Sequence, residues 1–392
     1  MNFSKRVSRI SVSSTSAVLA AAARLKAEGV DIVDFGPGEP DFATPEHIKQ
    51  AAITSVQGDF TRYTATEGIP ELRRAIAEWH ARELGSDYRP EEVLVTVGGK
   101  HAVFNLVSSL IDAGDEVIIP TPYWVTFKDV VTYASGECVF VETPERDGFR
   151  LSAAQVAAAI TPRTRMLIVN SPCNPSGAVI PSEELRQIAD LAREHRFWVL
   201  CDECYSHFVY GDGRPFSLGS LGRDYLGQLL VVGSLSKTFA MTGWRAGYCL
   251  APKEVVQAAL KIQSHCTSNI CSITQKAAIA ALTGPQEPIR EMLKEYSRRR
   301  DYMVPALNAI SGLHCQWPDG AFYVYPNVSS FLGKTGIHTS ADLAQRLLNQ
   351  ARVAVVPGEA FGTLQHIRIS YATSTEQLEK GVERLRRLFE SL

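Results

Sequence analysis

Residues 229–251 read LLVVGSLSKTFAMTGWRAGYCLA. Two short apolar runs, one at each end of this stretch, predict two buried strands. Between them, Lys237 lies among small and hydroxyl residues, and Arg245 has a glycine two residues away on either side. Burying an ammonium group costs free energy, but desolvation and cationic neighbours also lower the pKa of a lysine and make its amine nucleophilic. The stretch therefore predicts a parallel-sheet core with a chemical role for Lys237.

The same alternation of apolar runs and helical patterns extends through the middle of the chain. Further apolar runs are EVLVTV (92–97), EVIIP (116–120), RMLIVN (165–170) and FWVLCDE (197–203). Strands that alternate with helices indicate βαβ units, so we expect a mainly parallel sheet covered by helices on both faces.

The last hundred residues have a different pattern. A long helical pattern near 285–312 is followed by the runs AFYVYPNV, ARVAVVPG and HIRISYA and by a terminal amphipathic helix. This order predicts a smaller α+β domain. We predict an N-terminal arm with a segment of the small domain at 1–40, a large domain at 41–285 and a small C-terminal domain at 286–392.

Composition excludes several classes of partner. The chain has 392 residues and a net charge of −2, and its densest basic run, YSRRRDY (296–302), is interpreted as the solvated face of a helix. We therefore expect no nucleic-acid partner. No apolar stretch has the roughly 18 residues of a membrane span, and the first residues lack the apolar block of a secretory signal. Eight cysteines without a regular framework fit a reducing compartment, so we predict a cytoplasmic protein without a membrane partner.

Ligands of an open parallel sheet bind beyond the carboxyl ends of its strands. Three such positions are polar or glycine-rich: Gly98 and Gly99 after one strand, Asn174 after another, and Asp202 at the end of a third. Each has an ordinary alternative, respectively a plain strand-to-helix turn, an Asn-Pro turn, and a structural ion pair or helix cap.

A metal site is the other hypothesis for this region. Cys201 and Cys204 have a C-x-x-C spacing and His207 follows, but the sequence has no second pair at ligand spacing. We predict no metal and interpret the two cysteines as small apolar residues at a strand end.

Pyridoxal phosphate (PLP) accounts for these residues together. Its aldehyde suits Lys237, its pyridine nitrogen suits Asp202, and its phenolic oxygen suits Tyr205. Its phosphate suits a set of donors that comprises Gly98, Gly99, Ser234, Ser236 and Arg245.

Ten motifs in a fixed order carry a resemblance to a known family. They are GEPDFATPEHIKQA, RYTATEGIPELRRAI, VGGKHAVFNL, PTPYWVTF, NSPCNPSGAV, CDECYSHFVY, SLSKTFAMTGWRAGY, GAFYVYP, VAVVPGEAFG and IRISYATS. The sequence resembles the class I aminotransferases of PLP fold type I, and among them the gamma subgroup of bacterial aspartate aminotransferases. The resemblance spans essentially the whole chain and implies an α/β fold with a mainly parallel seven-stranded sheet and a smaller α+β domain.

The resemblance also implies roles for the cofactor residues. Lys237 would form the Schiff base and move the proton, Asp202 would keep the ring nitrogen protonated, and Tyr205, helped by Asn174, would hydrogen-bond the phenolate oxygen. Trp124, otherwise an ordinary core aromatic, would stack on the ring and contact the substrate. The phosphate would be held by Gly99, Ser234, Ser236 and Arg245, and by Tyr63 of the partner subunit, which implies a homodimer with shared active sites.

Substrate recognition follows from the same resemblance. Arg368 and Asn174 would clamp the α-carboxylate, with a backbone donor from Gly38. In the gamma subgroup the side-chain carboxylate of the substrate, called the distal carboxylate, is bound by the lysine after the two glycines, here Lys100. Hydroxyls of the N-terminal arm, here Ser13 and Thr15, also bind it. Lys100 could instead be a cation near the phosphate, and the arm could be merely solvated. The family also suggests a cis Asn174–Pro175 peptide.

We therefore predict ping-pong transamination between L-aspartate and 2-oxoglutarate. Two alternatives stay open at this point: a different donor or acceptor, such as prephenate, an aromatic amino acid or alanine, and a PLP-dependent lyase or synthase on the same fold. A regulator that carries this fold beside a DNA-binding domain is not expected, because the 37 residues before the first motif are too few for such a domain.

Overall fold

A computed structural model describes residues 3–12, 14–334 and 336–392. Strands within this part of the chain are β1 Val33–Asp34, β2 Val93–Val97, β3 Glu116–Thr121, β4 Glu137–Glu142, β5 Thr164–Asn170, β6 Trp198–Asp202, β7 Leu229–Ser234, β8 Ala246–Leu250, β9 Tyr323–Val324, β10 Val353–Ala354, β11 Val356–Pro357 and β12 Ile367–Ser370.

The α-helices of the same residues surround these strands. They are α1 Lys5–Ser8, α2 Ser14–Ala27, α3 Glu46–Gln57, α4 Pro70–Leu84, α5 Gly99–Leu110, α6 Thr126–Tyr133, α7 Ala153–Ala159, α8 Ser182–His195, α9 Leu235–Thr238, α10 Lys253–Cys266, α11 Ser272–Thr283, α12 Glu287–Asn308, α13 Ser340–Arg346 and α14 Thr375–Glu390. Each helix of this part of the chain is too short or too polar to cross a membrane.

A seven-stranded sheet forms the centre of the molecule, as predicted. Its strand order is β2-β8-β7-β6-β5-β3-β4, and only β8 runs antiparallel to its neighbours. We call this sheet and its covering helices the large body. Six of its strands coincide with the predicted apolar runs, but β4 does not, because its residues are exposed or half-buried.

Helices bury both faces of the sheet, which explains why its strands are apolar throughout. In β6, Leu200 packs into the core beneath α5 and α10, while Val199 and Cys201 pack into the core beneath α8. Such two-sided burial is typical of parallel sheets.

The chain after α12 forms a second, smaller structure that we call the small body. Its antiparallel sheet has the order β11-β12-β9, and β10 pairs in parallel with β1 from the N-terminal segment. The α+β pattern that was predicted for the C-terminal region is therefore present, and residues 33–34 join it. The exact domain limits at 40/41 and 285/286 remain predictions.

The interpretation of the basic run on α12 as a solvated face is wrong in part. Arg298 is exposed, but the Arg299 side chain is only 7% exposed and contacts Asp41 and Glu295, each at 2.8 Å. Arg300 is also largely buried and lies over the Tyr210 ring. The reason is tertiary: the segment that connects β1 to α3 crosses this face of the helix and supplies Asp41.

Candidate active site

The glycines around Arg245 allow two strands to meet closely. β2 and β8 are antiparallel, with Val97 opposite Ala246, so the end of β2 meets the start of β8. A Cβ at Gly247 would lie 2.4 Å from the Gly98 carbonyl carbon, and Gly98 itself has φ of 77°. Only glycine tolerates this approach and this φ without strain. The arrangement brings Arg245 beside the Gly98–Gly99 turn.

A cavity of about 250 Å³ opens at the carboxyl ends of the parallel strands. Twelve of the predicted site residues line it: Gly38, Gly99, Lys100, Trp124, Asn174, Asp202, Tyr205, Ser234, Ser236, Lys237, Arg245 and Arg368. Four other residues line it too: Gly36, Asn170, Cys204 and Tyr323.

Lys237 projects into this cavity from α9, directly after β7. Its ammonium group donates a hydrogen bond to the carbonyl of Gly38. Burial lowers the pKa of Lys237 to about 8, and the positive charges of Arg245 and Arg368 act in the same direction against Cys204 and Glu39. A substantial fraction of the amine is therefore neutral near physiological pH.

Asp202 ends β6 and is 5% exposed. Its Oδ1 accepts a hydrogen bond of 3.1 Å from the Cys204 amide, and no basic side chain of the described residues forms an ion pair with it. Burial raises the pKa of Asp202, while the hydrogen bonds from Cys204 lower it. A buried carboxylate of this kind is stabilised by a cation in the cavity.

Tyr205 has a partner that the sequence did not suggest. Its hydroxyl lies 2.8 Å from the Tyr323 hydroxyl, both side chains are buried, and burial raises the pKa of each. Asn174 does not contact Tyr205 through a hydrogen bond in the described chain. Its backbone N–H donates to Asn170 Oδ1 at 2.7 Å, and the side-chain amide of Asn170 donates to the Asp202 carbonyl. Asn170 ends β5, so the strand-end rule that selected Asp202 could have found it.

Arg368 is a buried guanidinium on β12, 3% exposed. Its Nη1 donates to Asn174 Oδ1 at 2.9 Å and its Nη2 to the Gly36 carbonyl at 2.6 Å, and its Nε is buried without a partner. No carboxylate of the described residues forms an ion pair with it. A buried, unneutralised guanidinium that faces a cavity is suited to bind an anion, above all a planar carboxylate.

Hydroxyl and amide groups gather at the opposite end of the cavity. Ser234 Oγ accepts a 3.1 Å hydrogen bond from the Ser236 amide, and Arg245, with φ of 56°, donates from Nη1 to the Thr242 carbonyl. A Cβ at Gly99 would come within 3.0 Å of the Cys204 sulfur, so this wall has no room for a side chain.

Trp124 and Lys100 form the rim. Lys100 Nζ lies 5.1 Å from the centre of the Trp124 ring. Burial, followed by the nearby charge of Arg245, lowers the pKa of Lys100. Within the described part of the chain no acidic side chain pairs with Lys100, so its charge is available to a ligand.

Some predictions fall outside this cavity. Tyr63, in the connection between α3 and α4, is 93% exposed and does not line the cavity of its own chain. Ser13 lies outside the described residues, and Thr15 is in the first turn of α2, with its side chain outside the description. The cis Asn174–Pro175 peptide that the family suggests is not observed: among the described residues the cis bonds are Thr121–Pro122 and Ser171–Pro172, and Asn174 is held by hydrogen bonds to Asn170 and Arg368.

The C-x-x-C residues separate in the structure. Cys201 is buried in the core, Cys204 lines the cavity, and the His207 ring stacks on Trp79 with 4.7 Å between centres. Across residues 3–12, 14–334 and 336–392, no group of three or more His, Cys, Asp or Glu side chains is arranged to hold a metal ion.

Comparison with known proteins agrees with this geometry. Residues 30–385 match the family model of class I and II aminotransferases. The chain is 42% identical to the aspartate aminotransferase of Geobacillus stearothermophilus over the full length of both chains, and 44% identical to the aspartate/prephenate aminotransferase of Nitrosomonas europaea over 98% of this chain and 99% of that protein. The solved structure of the Thermus thermophilus aspartate aminotransferase with maleate superposes with a TM-score of 0.93 at 45% identity and covers 99% of this chain and 100% of that one. The chain therefore belongs to the class I and II aminotransferase family.

Proposed function

We propose that the protein binds PLP and transfers the amino group of L-aspartate to 2-oxoglutarate in two half-reactions. The observation that carries the proposal is one cavity lined by a lysine amine of lowered pKa, a buried carboxylate and a buried guanidinium. Neither Asp202 nor Arg368 forms an ion pair with a side chain of the described residues. Buried charges are costly when unpaired, so both point to a ligand.

The residues of the cavity fit PLP. Asp202 supplies a carboxylate for a protonated pyridine nitrogen, and the hydroxyls of Tyr205 and Tyr323 supply a donor for the phenolic oxygen. Gly99, Ser234, Ser236 and Arg245 supply hydroxyl, amide and guanidinium donors for a phosphate, and Trp124 supplies an aromatic face. When bound, PLP supplies an aldehyde for a lysine and a ring that withdraws electrons from the substrate Cα.

The side chains then have separable tasks. Lys237 Nζ, neutral in part because its pKa is about 8, holds the cofactor and takes the proton from the substrate Cα. The Asp202 carboxylate keeps the positive charge on the ring nitrogen. Arg368 and Asn174 bind the α-carboxylate common to every amino-acid and 2-oxo-acid substrate, which orients the Cα–H bond toward Lys237.

Aspartate is supported as donor by a second cation. Lys100 lies on the rim with no acidic partner in the described chain, and its position suits a distal carboxylate. Similar proteins are named aspartate aminotransferases, and one such structure is titled with maleate, a dicarboxylate. Ser13 and Thr15 remain candidate partners of the same carboxylate.

A different observation favours prephenate as the acceptor, or an aromatic amino acid as the donor, as a second candidate. A second cavity is also lined by Lys100, and its lining includes Phe104, Val125, Val130 and Tyr133. A ring would find apolar contacts there, and the Nitrosomonas relative is named for both aspartate and prephenate.

Titration of the purified PLP-loaded protein with L-aspartate, in the absence of any 2-oxo acid, tests the proposal. We expect the yellow absorbance to fall in proportion to added aspartate, with one equivalent of oxaloacetate released per site and no ammonia. Added 2-oxoglutarate should restore the absorbance.

The Lys237→Ala variant is the control, and it should lose turnover by about 10⁴-fold while it keeps its circular dichroism spectrum. Ammonia release would indicate a lyase. A response to tyrosine or alanine without one to aspartate would show that the amino donor is not aspartate. Near wild-type turnover by Lys237→Ala would contradict the mechanism.

A further inference from the structure

A carboxylate of the large body is held by three side chains of the small body. Glu145 lies in the 3₁₀ turn Glu145–Asp147 that follows β4. Its oxygens accept hydrogen bonds from His314 Nδ1 at 2.6 Å, Asn327 Nδ2 at 2.6 Å and His366 Nε2 at 3.2 Å. All three donors come after α12, so this single side chain ties the two bodies together.

The three donors form a row. Antiparallel bridges join His314 to Asn327 and Asn327 to His366, which places the three side chains on neighbouring segments. Glu145 and His366 are largely buried, at 18% and 8% side-chain exposure. Burial alone would raise the pKa of Glu145, but the hydrogen bonds from His366, Asn327 and His314 lower it to about 2. Glu145 is therefore an anion that accepts from all three donors at neutral pH.

A continuous path of contacts leads from this cluster to Arg368. The His366 ring stacks on Tyr325, with 4.8 Å between centres and 10° between planes. Tyr325 contacts Phe361 edge-on at 6.0 Å, and the Arg368 guanidinium lies 5.2 Å from the Phe361 ring centre. The backbone gives a second path, because β12 begins directly after His366 and carries Arg368 two residues later.

We propose that Glu145 is a positioning residue for Arg368, acting through His366 to hold β12 and its guanidinium at the α-carboxylate subsite. The inference rests on the proposed function through the role of Arg368. Since the α-carboxylate is common to all substrates of a transaminase, Glu145 serves donor and acceptor equally. Lys100, by contrast, serves only substrates with a distal group.

The variant Glu145→Gln removes the charge and keeps the size of the side chain. We expect the KM values for aspartate, alanine and 2-oxoglutarate to rise by a common factor of about ten, as a contact-mediated coupling of this kind allows. The dissociation constant of PLP should change less than about twofold, because Lys237, Asp202 and the phosphate donors lie on other elements. kcat should fall by a smaller factor than KM rises, because the bound α-carboxylate also orients the Cα–H bond.

Asp319→Asn is the matched control. The Arg150–Asp319 ion pair also joins the two bodies, because Arg150 lies five residues after Glu145 and Asp319 belongs to the small body. Both side chains, however, are about 40–50% exposed, and no ring contact of the described residues connects either of them to Arg368. Its KM values should stay at the wild-type level.

His366→Phe keeps a ring beside Tyr325 but loses the hydrogen bond to Glu145, so it should reproduce the rise in KM. It replaces Glu145→Gln in the test if that variant does not fold.

Unchanged KM values in Glu145→Gln and His366→Phe would overturn the inference, as would a loss confined to kcat or to PLP affinity. A rise for aspartate alone would also overturn it, since that pattern belongs to a distal-group contact. Failure of the proposed function looks different, because the wild-type protein would then show no half-reaction with any amino acid. If the wild-type donor is not aspartate, the same comparison is made with that donor and its 2-oxo acid.

Discussion

At the residue scale, the site is marked by charges that the chain itself leaves unpaired. Elsewhere in the protein buried charges find partners, as Arg299 does with Asp41 and Glu295. Asp202 and Arg368 have no such partner within the described residues. Since an unpaired buried charge costs several kcal/mol, a ligand of opposite charge would stabilise both positions.

Lys100 gives the residue-scale prediction. Lys100→Ala should raise the KM for L-aspartate by about tenfold or more, because a charged hydrogen bond to the distal carboxylate is lost. The KM for L-alanine, which has no distal carboxylate, should change less than about twofold. Steady-state kinetics with both donors at saturating 2-oxoglutarate would measure this difference.

Lys334→Ala is a suitable control, because Lys334 also lies near an aromatic ring, that of Phe331, but is remote from the cavity. It should leave both KM values unchanged. Equal increases in the KM values for aspartate and alanine in Lys100→Ala would show that Lys100 does not bind the distal carboxylate. An increase in the dissociation constant of PLP alone would support its alternative as a cation near the phosphate.

At the element scale, the apolar runs of the sequence predict six strands of the sheet but not the edge strand β4. Six strands are buried on both faces and have continuous apolar runs, whereas the edge strand β4 alternates exposed and half-buried residues and lacks that signal. The strand-end rule predicted Asp202 and the Gly98–Gly99 turn because parallel strands end at one edge. It could have predicted Asn170, which ends β5.

Contacts between distant parts of the chain could not be predicted in this way. The hydroxyl pair of Tyr205 and Tyr323 joins residues 118 positions apart, and Arg299 meets Asp41 across 258 positions. Local periodicity contains no information on such partners. The same limitation explains why the basic run of α12 was interpreted as solvent-exposed throughout.

The element-scale prediction concerns how α12 is held against the segment before α3. Arg299→Ala should lower the free energy of unfolding by about 2 kcal/mol, because Asp41 and Glu295 lose charged hydrogen bonds to a buried guanidinium. Arg298→Ala, on the same helix turn and with the same partner Glu295 but an exposed side chain, should cost about 0.5 kcal/mol or less. Urea unfolding followed by circular dichroism compares the two, and equal effects would contradict the structural role of Arg299.

At the scale of the whole molecule, a segment from the first tenth of the chain meets distant parts of the chain at the cavity. Gly36 and Gly38 precede α3, and their carbonyls accept from Arg368 and Lys237 respectively. The connecting segment thus contacts β12 of the small body and α9 of the large body at once. The segment therefore joins the two bodies through the same basic side chains that are proposed to bind the cofactor and the substrate.

The family resemblance predicts that a second subunit completes the proposed site. The exposed side chain of Tyr63 is accompanied by exposed apolar side chains on α3, Ile53 and Val56. Exposed apolar side chains are common at interfaces, and the family resemblance implies that Tyr63 reaches the phosphate site of the partner subunit. Two-fold symmetry would then give each dimer two sites, each built from both chains.

Subunit complementation tests this arrangement directly. Tyr63→Ala should weaken PLP binding, and Lys237→Ala should abolish turnover. A heterodimer of the two variants, isolated through two different affinity tags, contains one site with both native residues, because Lys237 comes from one chain and Tyr63 from the other. We expect about half of the wild-type activity per dimer at limiting PLP, since one of the two sites is restored. If Tyr63 served its own chain, no site of the heterodimer would contain both residues, and its activity would not exceed the average of the two parent homodimers.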